Sequence, residues 1–153
     1  MGVIPMLLGL LLPACAGQGV EGLPVPPPLD FAHIERPATP NTALAAPAGF
    51  TPTPDLETHA YAVAPEQLYA AIRRVAAAQP RTWPQVTYDD RLQADFVARS
   101  AVFNFPDLIA VQVMPDSRLI LWSRSVYGRS DLGVNRQRLQ AWLAALDADL
   151  APH

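Results

Sequence analysis

Proline placement limits this chain more than any other feature: 11 of its 17 prolines fall within the first 54 of 153 residues. Each proline removes a backbone donor and fixes φ at roughly −65°, which excludes that stretch from regular helix and from the centre of a sheet. Residues 15–29 include the run Pro26-Pro27-Pro28 and carry a single charge, Glu21. They read as a polyproline-like tether reaching ~3.1 Å per residue, which would hold a folded domain away from its anchor point. Residues 30–60 differ because Phe31, Ile34, Leu44, Phe50 and Leu56 are spread through them. They are expected to form an irregular arm laid partly across the folded part.

From Tyr61 the pattern is regular, and residues 61–150 are expected to form the domain. Pro65 suits a first helical turn, Glu66 favours the positive end of the helix dipole, and Leu68, Ile72 and Val75 recur at helical spacing, predicting a helix over 65–78. Gln79-Pro80 ends it. A short strand is expected at Gln85–Tyr88. Over residues 92–100 apolar and polar residues alternate, as in a strand with one wet face. Phe103 and Phe105 shift that parity, which predicts a bulge or a strand end near Asn104, and Pro106-Asp107 predicts a turn. Strands follow over 109–113 and 119–126, joined by a tight connection at Met114–Arg118. Leu139, Trp142, Leu143, Leu146 and Leu150 then mark an amphipathic helix starting near 132 or 135 and ending near 149. The expected class is α+β, an antiparallel sheet of three to four strands with an N-terminal and a C-terminal helix packed on one face. An apolar content of 50% is enough to fill one such core.

Charge removes one class of partner. Only 16% of residues are charged and the net charge is −3, so the chain lacks the general basic surface that nucleic acid requires. The apolar run Val3–Leu12 is shorter than the ~20 residues of a membrane-spanning helix and suits the core of an export signal. It leads into Leu12-Pro13-Ala14-Cys15, which resembles the lipobox of bacterial lipoproteins. That resemblance implies a signal over 1–14, lipidation of Cys15, and a domain anchored to a membrane of the bacterial cell envelope, inner or outer, facing the periplasm. Cys15 is the only cysteine, so it has no intramolecular disulfide partner, and a lipid accounts for its thiol. The absence of Lys and Arg from residues 2–14 points to a start upstream of Met1.

Residues 123–136 gather three Arg, three Ser, one Asp and one Asn between the last strand and the last helix. Within them Arg124-Ser125, Gly128, Ser130-Asp131-Leu132-Gly133 and Asn135-Arg136 resemble the signature of the DUF1499 family, a domain of unknown function found in bacterial envelopes and plastids. The likeness extends loosely over 61–146, through Arg99-Ser100 and Phe105-Pro106-Asp107. Arg36-Pro37-Ala38-Thr39-Pro40-Asn41-Thr42 is similar to an upstream family element that carries two cysteines, both replaced here. The resemblance implies a fold and a location, and no activity. Two readings of the junction stand side by side. In one, Asp131 or Ser130 caps the last helix, the glycines permit turns, and Arg124 or Arg136 ties carbonyls and Asp131 together. In the other, Arg124, Arg129 and Arg136 with Ser125, Ser130 and Asn135 surround a helix N-terminus as an anion site.

Catalytic constellations are sparse. His33, His59 and His153 lie in the arm and at the end of the chain, and Lys is absent, so Ser125 has no base for nucleophilic chemistry. Asp89-Asp90 reads as a solvated turn, the histidines lack metal-ligand spacing, and no phosphate loop or dinucleotide fingerprint is present. Neither metal nor cofactor is expected. The sequence therefore supports three readings, in this order: a non-catalytic envelope lipoprotein that contacts another envelope protein, a binding module for a lipid or small anionic ligand, and a carboxylate-dependent enzyme. The last would need Asp95, Asp107 or Asp131 to converge in a cleft with a raised pKa.

Overall fold

In the computed structural model, which describes residues 13–152, a four-residue turn α1 (Pro13–Ala16) precedes six strands and two long helices. These are β1 (Thr42–Pro47), β2 (Leu56–Thr58), α2 (Pro65–Ala77), β3 (Thr82–Tyr88), β4 (Gln93–Arg99), β5 (Pro106–Val113), β6 (Leu119–Ser125) and α3 (Val134–Asp149). The strands form one sheet in the order β2-β1-β6-β5-β4-β3, antiparallel except for the β1–β2 pair. Both long helices lie where periodicity places them, within a residue or two. Pro65 opens α2, and Gln67 Oε1 accepts the Ala64 N–H at 3.1 Å.

Side-chain alternation divides the core into two layers. Ala43, Ala45, Ala94, Phe96, Ala98, Ile109, Val111, Val113, Leu119 and Leu121 face α2 and α3. The helices supply Leu68, Ile72 and Val75, then Leu139, Trp142 and Leu146, with Phe96 meeting Trp142 edge-on at 5.6 Å. Each fully buried Leu or Ile here contributes about 1.5–3 kcal/mol. On the other face Leu44, Ala46, Ile120 and Trp122 pack against Phe31 and Ile34.

This architecture is α+β, but the expected sheet of three to four antiparallel strands has six and is mixed. The two additional strands come from the arm. β1 reads Thr-Ala-Leu-Ala-Ala-Pro and is buried between β2 and β6, so no polar alternation marks it and its small residues have weak strand preference. Its ladder with β2 ends at Asp55, whose N–H donates to Leu44 O at 2.8 Å and whose carboxylate accepts the Leu44 N–H at 2.8 Å. β3 starts at Thr82, earlier than expected, and tolerates Pro84 because it is an edge strand. The register irregularity falls in β3 between Pro84 and Val86; near Asn104 there is a strand end instead, since β4 stops at Arg99 and Asn104 sits in the β4–β5 loop at φ 55°, and Pro106-Asp107, expected as a turn, already pairs with β4 as the start of β5.

The expected wet face of β4 is covered, and β4 is buried along its whole length. Residues 15–29, expected as a tether standing off the domain, instead form with Asp30 a strap along that face. Gln85 Nε2 donates to Pro24 O at 3.0 Å, the Tyr88 hydroxyl donates to Pro26 O, and Gln93 Nε2 donates weakly to Leu29 O at 3.4 Å. Arg99, only 3% exposed, donates to Gly19 O at 2.7 Å and Glu21 O at 2.9 Å. A backbone with few donors of its own presents carbonyls, and the polar alternation of β3 and β4 supplies the donors. The export signal proposed over 1–14 lies almost wholly outside the described residues. No helix among the described residues is long and apolar enough to cross a membrane.

Candidate functional site

Between the strap and the sheet lies a cavity of about 170 Å³. Pro26–Asp30 form its roof; Gln85 of β3, Asp95 of β4, Leu108–Ala110 of β5, and Trp122 and Arg124 of β6 form its floor and walls. Gln85 Oε1 and Asp95 Oδ1 are buried there without a hydrogen-bond partner in the protein. Buried acceptors of this kind are normally satisfied, so a pocket wall carrying two of them presents unused acceptor capacity to whatever enters. Arg124 is exposed and makes no hydrogen bond or ion pair within the described residues. The same pocket therefore carries unused hydrogen-bond acceptors and a guanidinium, with Leu108 and Trp122 also in its lining.

Burial pushes the Asp95 carboxyl up from 3.8 to about 6, against the opposing pull of Arg124. A raised folded-state pKa favours the neutral acid. The fold's advantage from Asp95 is thus complete below about 3.8 and is lost as pH rises through about 6. Near neutral pH the ionised group costs about 1–2 kcal/mol, less than the full linkage value because the carboxyl borders an open pocket. Asp95→Asn is expected to recover that stability at neutral pH and to flatten the dependence between about pH 4 and 6. Urea titrations at several pH values measure it; an unchanged pH profile would contradict the assignment.

The junction is built as a buried polar network. Asn135, wholly buried, donates from Nδ2 to Asn41 O, Ser125 Oγ and Asp131 Oδ2 at 2.7–3.0 Å. Its Oδ1 accepts from Ser123 Oγ at 2.5 Å and Arg138 Nη1 at 2.7 Å. Arg138 Nη2 closes the network on Asp107 at 2.6 Å. Asp131 occupies the start of α3, accepting the N–H groups of Gly133 at 2.9 Å and Asn135 at 3.0 Å, and Ser130 Oγ accepts the Leu132 N–H at 3.3 Å. A carboxylate thus already takes the backbone donors that an anion would need. Ser125, Asp131 and Asn135 are joined in this network; Ser130 and Arg136 line a hollow with Asp131 and Gly133, Arg124 lines one with Ser125, and Arg124, Arg129 and Arg136 make no hydrogen bond or ion pair within the described residues.

The arginine that ties the junction is Arg138, where Arg124 or Arg136 was expected. Its place four residues beyond the start of α3 gives it the reach to β5. Asn41 also belongs here, donating to Gly128 O at 2.8 Å while its carbonyl accepts from Ser125 N and Asn135 Nδ2. Its position in the 36–42 element was the available signal. Asp95, Asp107 and Asp131 do not converge: Asp95 lines the strap pocket, Asp107 pairs with Arg138, and Asp131 caps α3. Among the described residues no group of three His, Cys, Asp or Glu is placed to hold a metal ion. Cys15 is buried, and its carbonyl accepts from Asn104 Nδ2 at 2.8 Å.

Fold and site together define a small α+β domain whose sheet carries helices on one face and a proline-rich strap on the other. A family model described as a protein of unknown function (DUF1499) matches residues 34–146, well over half of the chain, and the protein belongs to that family. The match takes in β1 and β2 and begins just after the strap. No curated protein matches the chain.

Proposed function

We propose that this DUF1499 protein is an exported, lipid-anchored binding module of the bacterial envelope, with its ligand site in the pocket beneath the strap. The pocket chemistry carries the reading: two buried acceptors without hydrogen-bond partners line the same largely apolar pocket as Arg124, which makes no hydrogen bond or ion pair within the described residues. A complementary ligand is small and anionic, offers its charge to Arg124, and carries N–H or O–H donors for Gln85 and Asp95. A cavity of about 170 Å³ holds one substituted ring or a short branched chain. The anchor rests on residues 3–15, whose apolar run ends at a lone cysteine.

Native mass spectrometry of the protein purified from an envelope fraction tests the reading, with 4-aminobenzoate as the probe in solution. The expected results are a non-covalent adduct on the purified protein and a Trp122 fluorescence response to the probe. Benzoate, lacking the donor, and aniline, lacking the anion, should each bind about tenfold more weakly or worse. Arg124→Ala and Asp95→Leu should weaken 4-aminobenzoate to the same degree. An empty protein that is silent to all three compounds would set this reading aside in favour of a domain working through an envelope protein partner.

A further inference from the structure

Eight large apolar side chains are exposed in the described chain, and six of them, Val102, Phe103, Phe105, Val126, Leu132 and Val134, lie at one end of the sheet. Val102 and Phe103 form the tip of the β4–β5 loop and are 83% and 67% exposed. The rings of Phe103 and Phe105 stack at 5.4 Å, and Tyr127 stands 6.1 Å from Phe105. The Val126 N–H donates to Pro106 O at 3.2 Å, and Val134 opens α3 beside Arg99. Two segments distant in sequence thus build one apolar end. An exposed cluster of this kind marks an interaction surface.

Two observations identify what covers it. The first is where the chain leaves the fold. Asn104, within the same tip, donates from Nδ2 to Cys15 O and to Gly17 O, both at 2.8 Å, and so fixes the start of the strap beside Phe103 and Phe105. The second is charge. Arg81, which donates to Asn104 Oδ1 at 2.9 Å, and Arg129 and Arg136 are all exposed at this end. Of the acids there, Asp107 pairs with Arg138, Asp131 holds the first turn of α3, and Glu21 accepts the Gln18 N–H, while Glu35 is exposed beside Thr42 and Ser125. The turns at the opposite end carry Asp89, Asp90 and Asp116 together with Arg91 and Arg118, the last paired with Asp116 at 3.5 Å, and so present no comparable arginine cluster. Exposed aromatic and aliphatic side chains ringed by arginine fit the headgroup and upper acyl region of an anionic bilayer.

We infer that the end bearing Val102, Phe103, Phe105 and Leu132 docks onto an anionic phospholipid bilayer, seated there by the lipid on Cys15. The inference rests on the lipid-anchored reading and adds an orientation: the strap holds the domain close against the membrane, with the turns that carry Asp89 and Asp116 pointing away. Lipid on Cys15 leaves any introduced thiol as the single one available to a label, since no other cysteine exists. The test uses Val102→Cys and Asp116→Cys, each expressed with the native leader, labelled with bimane, and reconstituted in vesicles of phosphatidylglycerol and brominated phosphatidylcholine. Intact mass is recorded on both.

With Cys15 acylated, the label at 102 should lose about half its emission or more to the bromolipid, and the label at 116 should lose little. Acylated protein whose label at 102 is unquenched would overturn the docking while leaving the anchor intact. Shielding of that label from aqueous iodide without bromolipid quenching would likewise overturn it, by showing a protein cover. Unmodified Cys15 would remove the anchor and the docking together. Residue 102 is a loop position 83% exposed, so the substitution leaves the core untouched.

Discussion

Arg138→Ala is expected to lower the unfolding free energy by about 3–5 kcal/mol, the usual range when one partner of a buried ion pair is removed. The side chains of Arg138 and Asp107 are only 14% and 10% exposed, and they meet at 2.6 Å. Without the guanidinium the Asp107 carboxylate stays in the interior with no counter-charge. Asn135 Oδ1 and Ser123 Oγ lose the same donor, at 2.7 and 3.1 Å. Arg136→Ala, two residues away at an exposed site without protein partners, should change stability by less than about 0.5 kcal/mol. Urea unfolding followed by tryptophan fluorescence compares the two directly, since Trp142 lies in α3 below the network. Equal, small effects would show that the junction holds without its buried pair. A double-mutant cycle with Asp107→Ala separates the pair's coupling from the loss of each side chain. An Arg138→Ala, Asp107→Ala protein should be more stable than Arg138→Ala alone, because the stranded charge is gone.

The same comparison shows what sequence pattern carries and what it omits. Helices α2 and α3 were legible because Leu68, Ile72 and Val75, and Leu139, Trp142 and Leu146, repeat with the period of a helix whose other face is wet. Strand β5 and the β5–β6 turn were legible for the analogous reason, with Met114–Arg118 closing a tight hairpin at Ser117, φ 58°. β1 was not, because both its faces are covered and Ala43, Ala45 and Ala46 carry neither alternation nor strand preference. The polar face of β4 was read correctly as polar and wrongly as wet. Gln93, Asp95 and Arg99 alternate as solvent-facing residues do, yet their partners are strap carbonyls and a pocket, and no periodicity in residues 15–30 announces that. In the junction, residue types marked the dense region correctly, but which arginine turns inward depends on helix phase relative to β5, and Arg138 lay just outside the motif.

Arg99→Ala is expected to release the strap, lower stability by about 2–4 kcal/mol, and empty the pocket. Arg99 is nearly fully buried and joins three carbonyls, Gly19 O, Glu21 O and Asn104 O, at 2.7, 2.9 and 3.1 Å. A planar fork with fixed donor directions suits this arrangement, since it spans the strap and the β4–β5 loop at once. Arg99→Lys keeps the charge but not the fork, so it should fall between wild type and Arg99→Ala. Other contacts flank that point: Asn104 Nδ2 holds Cys15 O and Gly17 O at 2.8 Å, a Cβ on Gly19, which sits at φ 55°, would lie 3.5 Å from the Trp83 ring, and Gln85 and Tyr88 act further along, while Arg99 holds Gly19 and Glu21 between them. Digestion with a non-specific protease gives a readout that global destabilisation alone would not: cleavage within residues 16–30 should speed up by at least about tenfold while residues 42–150 stay intact. Because Pro26–Asp30 roof the pocket, Arg99→Ala should also abolish the 4-aminobenzoate response, although Arg99 does not line the site. Rapid strap cleavage with the response retained would mean that the floor of β4, β5 and β6 binds the probe unaided. Slow cleavage would mean that proline stiffness and the remaining carbonyl contacts hold the strap without the arginine.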